Sequence, residues 1–284
     1  MRSALFLLAL LITPSAITAA PQIKTEESYL GLYLQGQKIG YVVSKVGPGK
    51  LDGAAIVRTE SKTVMDMGLL GTPLRMVIDS STWSKAGKPV RMTFRQESSG
   101  RVQFMDARFV GSKVRIAIDN SGQKTQKVLP LPSGPIVDDP ITLVQASGVK
   151  GAKKFWILDP TTTTFIENSV RLVGPATADV KGKKVAATLA EIIDPRASTK
   201  IFVDAKGGLV KAEAPMGIEM LPESKAVAMK TTPGYTPNVD LAARTALKPT
   251  PPLENPGSLS KLQLRFTGPD LSRLPTDEHQ TVRK

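Results

Sequence analysis

The feature that most limits what this chain can fold into is a two-residue alternation of apolar and polar side chains. Glycine-containing turns interrupt it about every ten residues. Val90, Met92 and Phe94 alternate with Arg91, Thr93 and Arg95. Val114, Ile116 and Ile118 alternate with Lys113, Arg115 and Asp119. A period of two is that of a strand with one face buried and one face wet. Turns fall at Gln35–Lys38, Lys85–Pro89, Ser98–Gly100, Gly111–Ser112 and Asn120–Gly122. This rhythm predicts a mainly β fold: a large, curved antiparallel meander, half-barrel-like, with one or two short helices.

The pattern places further strands along the chain. Leu30, Leu32 and Leu34 share a face, and Ile39, Tyr41 and Val43 share one side of the returning strand. Extended segments run over Ala55–Met65 and Leu74–Trp83. In Val102–Phe109 the adjacent Phe104 and Met105 predict a bulge. Strands resume over Lys154–Leu158, Thr163–Val173, Val185–Ile193, Thr199–Val203 and Leu209–Ala214. Between the two series lies a helix, N-capped by Asp138 or Asp139, with Pro140 at its first position. Ile141, Val144 and Val149 share its face, and Gly148 stands near its stop. A second short helix fits Pro222–Met229. After Lys230 the composition changes, with eight of the 22 prolines in the last 54 residues. Lys248–Pro252 reads as an extended linker. Beyond it Leu262, Leu264 and Phe266 alternate as one strand, which must join the main sheet or belong to a further domain.

The N-terminus reads as a secretory signal. Arg2 precedes an unbroken apolar run from Ala4 to Ile12, and small residues follow through Ala20. The run is far short of the ~20 residues that span a bilayer. Cleavage is expected near Ala19, which makes the mature protein exported, periplasmic or extracellular. The expected domains are therefore a signal peptide over 1–19, an antiparallel β domain over 20–230, and a Pro-rich linker with its strand over 231–284.

Composition removes several chemistries. The 284 residues hold no cysteine, so there is no thiol nucleophile, disulfide framework or cysteine zinc site. The single histidine, His279, sits five residues from the C-terminus and reads as a surface residue. Asp138 and Asp139 are adjacent, and capping of the helix explains them better than acid–base catalysis, because neighbouring helix residues point apart. No glycine-rich segment joins a strand to a helix as a phosphate loop requires. No cofactor is expected.

The net charge is +13, and its densest stretch is residues 85–127, with ten lysines and arginines against three carboxylates. Arg91, Arg95, Lys113 and Arg115 fall on the polar side of the alternation and are the candidate anion-binding residues. Two readings stay open: a face that binds lipid headgroups, including a peripheral anionic membrane contact, or an envelope polymer, and a solvated face that blocks edge pairing. Aromatic residues do not interleave these charges as nucleic-acid stacking platforms would, so nucleic acid is not expected as a partner.

Residues Ser28–Tyr41 resemble the opening hairpin of the β-rich N-terminal region of exported bacterial transglutaminase-like proteins. The likeness continues through the meander, the helix over Asp139–Gly148 and the run Leu262–Gly268. In that family a papain-like core with a Cys-His-Asp triad follows. No position here matches the cysteine, so no catalytic residue carries over. The resemblance implies a chain that is not an enzyme as encoded. It would be a binding or scaffolding domain of a transglutaminase-like system, partnered by a separate core protein or working alone. The curved sheet is also similar to the half-barrels of periplasmic lipoprotein carriers and sensors. That likeness implies the alternative of a stand-alone carrier or sensor for an apolar or anionic envelope ligand.

Overall fold

The computed structural model describes residues 24–69, 72–147, 153–230, 250, 252–253, 255–263 and 265. The expected signal peptide, Gly148, Val149, Leu264 and Phe266 lie outside them. The chain divides into two compact units, residues 1–245 and 246–284.

The first unit is one antiparallel sheet of fourteen strands. The first eight are β1 (Glu26–Leu34), β2 (Gln37–Leu51), β3 (Ala54–Leu69), β4 (Thr72–Lys85), β5 (Lys88–Ser98), β6 (Arg101–Val110), β7 (Lys113–Asn120) and β8 (Gln123–Pro130). Helix α1 (Pro140–Ser147) separates them from the rest. These are β9 (Lys153–Asp159), β10 (Thr164–Val180), β11 (Lys183–Asp194), β12 (Ala197–Val203), β13 (Leu209–Ala214) and β14 (Ile218–Pro222), followed by the short α2 (Lys225–Ala228). The spatial order is β8-β7-β6-β5-β4-β3-β2-β1-β14-β13-β12-β11-β10-β9. Two meanders therefore meet where β1 pairs with β14, Leu30 opposite Pro222 and Leu34 opposite Ile218.

Six hairpins turn on two residues that both have positive φ, the second always glycine. Gln35-Gly36 is typical, at 54° and 76°. This is the turn whose twist matches that of the flanking strands, and glycine takes its left-handed backbone without steric cost. The turns at Ala86-Gly87, Ser99-Gly100, Ser121-Gly122 and Lys181-Gly182 all have this geometry.

Three local expectations are corrected. Between β1 and β2 the register shifts at Leu32/Tyr33, leaving Ile39 as an extra residue. The bulge turns Ile39 away from the side of Tyr41 and into the core beside Leu32 and Leu34. Its neighbour has to be glycine, because a Cβ on Gly40 would stand 1.9 Å from the Val64 carbonyl oxygen. At Phe104-Met105 there is no bulge, since β6 pairs in unbroken register on both sides. Met105 is buried and Phe104 exposed, so the two large side chains simply point to opposite faces. Finally, Ile218–Pro222 is a strand, and the helix expected over Pro222–Met229 is only the four residues of α2, capped by Ser224.

α1 forms where expected, with the Asp139 carboxylate accepting from the Ile141 amide at 2.9 Å. Val144 is buried against Phe155, Val170, Ala190, Ile192, Ile201 and Ala212, with Ile141 packed beside it. The helix thus covers the concave face of β9–β13. Following the register across the sheet, Met92, Phe94, Met105 and Ile116 lie on this same concave face at β5–β7. They pack against Leu158 and Phe165, which project from the opposite face of β9 and β10.

The sheet is therefore rolled so that the end of the β9–β10 hairpin carrying Leu158 and Phe165 sits inside the curl of β5–β8, while Lys154 and Glu167 on the same face stay exposed. Gln103 and Lys127 reach from the curl to the β9–β10 turn, donating to the carbonyls of Pro160 at 3.1 Å and Thr163 at 2.9 Å. The other edge of β9 is capped by residues 135–137, which exchange two backbone hydrogen bonds with Trp156. β8 is not paired with β9, so the sheet stays open. Lys124 and Pro130 on β8 discourage further strands from adding to it.

In the second unit, among the described residues, a 3₁₀ turn covers Pro256–Ser258. Residues 261–263 and 265 are exposed and belong to no strand.

The overlap of layers yields a test. Leu158 is 1% exposed at its centre. Leu158→Ala should cost about 2–5 kcal/mol, read from urea midpoints, as a cavity in a close-packed interior does. A loss well under 1 kcal/mol would mean that the two layers do not pack through this side chain.

Candidate anion-binding face

The convex face of β3–β8 carries the charge. Arg58, Trp83, Arg91, Arg108, Arg115 and Val128 are successive cross-strand partners, one per strand, in a single row. Four of these six residues are arginines. Neighbouring strands lie about 4.8 Å apart, so the row concentrates cations on a narrow line.

The arginines differ in what surrounds them. Arg91 and Asp106 form a two-pronged ion pair, Nε to Oδ1 at 2.9 Å and Nη2 to Oδ2 at 2.8 Å. Donating to this carboxylate pushes the Arg91 guanidinium pKa up. Arg91 also lies 4.9 Å from the centre of the Trp83 ring, and Arg58 lies 5.0 Å from it. The indole is thus flanked by two guanidinium groups, a favourable cation–π arrangement. Arg58 pairs with Glu60 at 2.8 Å, and Arg95 with Glu97 at 2.8 Å. Arg108, Lys113 and Arg115 are exposed, and among the described residues no carboxylate pairs with them.

Of the four residues singled out in the sequence, all lie on the convex face. Two of them, Arg91 and Arg95, are already neutralised by neighbours. Lys113 and Arg115 stand together with Arg108, which sequence reasoning did not select. Its phase in β6 was obscured by the bulge expected at Phe104-Met105. Lys127 belongs to the same basic stretch but turns inward to hold the β9–β10 turn. Asp138 and Asp139 serve the start of α1. Among the described residues no three His, Asp or Glu side chains are grouped to hold a metal.

The most perturbed carboxyl lies elsewhere, over the junction of the two meanders. The Glu223 side chain is only 4% exposed. It accepts from Tyr33 Oη at 2.6 Å, Lys38 Nζ at 2.8 Å and Lys181 Nζ at 2.8 Å. Burial pushes its pKa up, but hydrogen bonds from Lys181, Lys38 and Tyr33 outweigh burial and lower it to about 2. Gly31 makes room for this cluster, since a Cβ there would lie 2.4 Å from Glu223 Oε2 and 2.8 Å from the Tyr33 ring. Lys181 comes from the tip of the β10–β11 hairpin, which folds across the convex side. There Asp179 O accepts from the buried Lys211 at 3.1 Å. Every strong donor around Glu223 is engaged, so the group ties chain segments together rather than offering a free acid.

No family model matches the chain, and no curated protein matches it. A solved structure that resembles it is a β-barrel-like protein of a domain of unknown function, DUF1849, from Brucella abortus. The two are 11% identical with a TM-score of 0.48, over 71% of this chain and 95% of that one.

Two tests follow from these environments. Arg91→Gln leaves the half-buried Asp106 unpaired and should cost about 1–2 kcal/mol, whereas Arg115→Gln should cost nothing in urea unfolding. Equal losses would refute the assignment of roles within the row. Glu223 has a folded pKa of about 2 against an ordinary 4.5. Its stabilisation is thus complete above pH 4.5 and is lost as pH falls from 4.5 toward 2. Between those limits the wild type should lose about 3 kcal/mol more than Glu223→Gln. Parallel acid profiles for the two proteins would show that the cluster contributes nothing.

Proposed function

We propose that this chain is an exported, non-catalytic binding domain of the cell envelope that docks on an anionic partner through its convex face. The observation that carries this reading is the arginine row, which ends in cations that no carboxylate of the described chain neutralises. The absence of any thiol and the resemblance to the β-rich region of exported transglutaminase-like proteins support an accessory role beside a catalytic core carried by another chain. A carrier of apolar ligands would use the concave face. There α1 and strands β9–β10 already bury the apolar side chains of β5–β7 and β9–β13.

Attraction to such a partner is electrostatic. It must weaken as the Debye length falls from about 10 Å at 0.1 M salt to about 3 Å at 1 M. The test compares two triple variants with the same change in net charge, binding to anionic vesicles. Replacing Arg108, Lys113 and Arg115 with glutamine should abolish most of the salt-sensitive binding. Replacing the exposed Lys50, Lys183 and Lys206 with glutamine should leave most of it. Equal effects from the two triples would mean that net charge alone, and not this face, attracts the partner.

A further inference from the structure

Arg108 and Arg115 stand directly opposite one another on β6 and β7. Both are exposed. Like charges directly opposite across antiparallel strands destabilise a sheet. Nearby carboxylates do not relieve them. Asp106 gives one oxygen each to the Nε and Nη2 of Arg91, and Ala117 occupies the position opposite Asp106 on β7. Lys113 shares the face of Arg115 two residues along β7 and adds a third cation. Two aliphatic side chains accompany them. Val110 lies opposite Lys113 and is 58% exposed, and Val128 lies opposite Arg115 and is 55% exposed. A solvated strand face would carry polar side chains at such positions.

Three cations without carboxylates, flanked by exposed valines, form an amphipathic patch. Guanidinium groups present planar, forked donors that match phosphate oxygens, and a phosphate between two of them removes their mutual repulsion. The valines suit a surface that is apolar just below its charge, as a bilayer is.

We propose that Arg108 and Arg115, assisted by Lys113, clamp the phosphate of an anionic lipid headgroup while Val110 and Val128 enter the headgroup layer. This rests on the reading that the convex face docks on an anionic partner, and it names the partner as a phospholipid surface. A soluble phosphate polymer would satisfy the arginines but not the valines.

The test is vesicle co-sedimentation of the mature chain. One set of vesicles carries phosphatidylglycerol, and a second carries equal surface charge from a fatty-acid carboxylate. The wild type should bind the phosphatidylglycerol vesicles more tightly. Arg108→Gln with Arg115→Gln should weaken that binding about 30-fold, from roughly fivefold per cation near an anionic surface. Arg115→Glu is the sharper variant. It places a carboxylate opposite Arg108, so it should abolish binding while raising or preserving the unfolding temperature, which excludes misfolding as the cause. Val110→Ser with Val128→Ser should weaken vesicle binding several-fold.

Equal binding to both vesicle types, lost in the arginine variants, would overturn the phosphate clamp and leave the anionic-docking reading intact. Full binding by the arginine double variant would overturn the clamp as well. No effect of the valine pair would overturn lipid as the partner. No binding of the wild type to either set would overturn both this proposal and the reading beneath it.

Discussion

The pairing of β1 with β14 is the contact on which the rest of this structure depends. Every other strand pair joins neighbours in sequence, and this one joins the ends of two meanders. Without it there would be an eight-stranded and a six-stranded ribbon, each with one apolar face open. With it, the concave side becomes a continuous surface that curls until β9 and β10 lie within β5–β8. The junction is reinforced from outside by Glu223, which binds Tyr33 from 190 residues away. Gly31, on the β1 side of the same cluster, is the residue that allows this close approach.

The clustering on the convex side has two electrostatic regimes. Over the junction, each buried charge is balanced by more exposed partners: Glu223 by Lys38 and Lys181, and Lys211 by Glu219 and Glu213. Burial lowers the pKa of the Lys211 ammonium, yet Glu219 and Glu213 more than restore it. Over β3–β7 the balance decays from one end of the arginine row to the other. Arg58 and Arg91 are stacked and paired, whereas Arg108 and Arg115 face water. The first regime holds strands in place, and the second leaves net charge where a partner can reach it.

How much of this was legible in the sequence follows from the range of the forces involved. The turns were readable because Ser99-Gly100 or Lys181-Gly182 needs only its own backbone to bend. Alternation located most strands because side-chain period is a local property. Ile39 defied it because a bulge is set by the partner strand, and Phe104-Met105 suggested a bulge only because both faces of β6 carry large apolar groups. β14 could not be recognised from five residues that include Glu219 and Pro222. Its partner lies at Leu30–Leu34, and the pairing, not the segment, makes it a strand. The charged face was located, but its pairing was not. Which arginine meets which carboxylate depends on cross-strand register, so Arg91 and Arg95 looked as available as Arg115.

The same junction has a consequence in time. Hairpins of the first meander close over a few residues and form quickly, but β1 must wait for Ile218–Pro222 before its outer edge is satisfied. Contacts between such distant segments carry the largest loop-closure cost and slow folding. Until that moment the apolar faces of β1–β8 stand open along an unpaired edge, the state in which β proteins associate with copies of themselves. A chain with this topology therefore has an assembly order written into it, in which the last strand of the sheet decides whether the first eight become a protein or an aggregate.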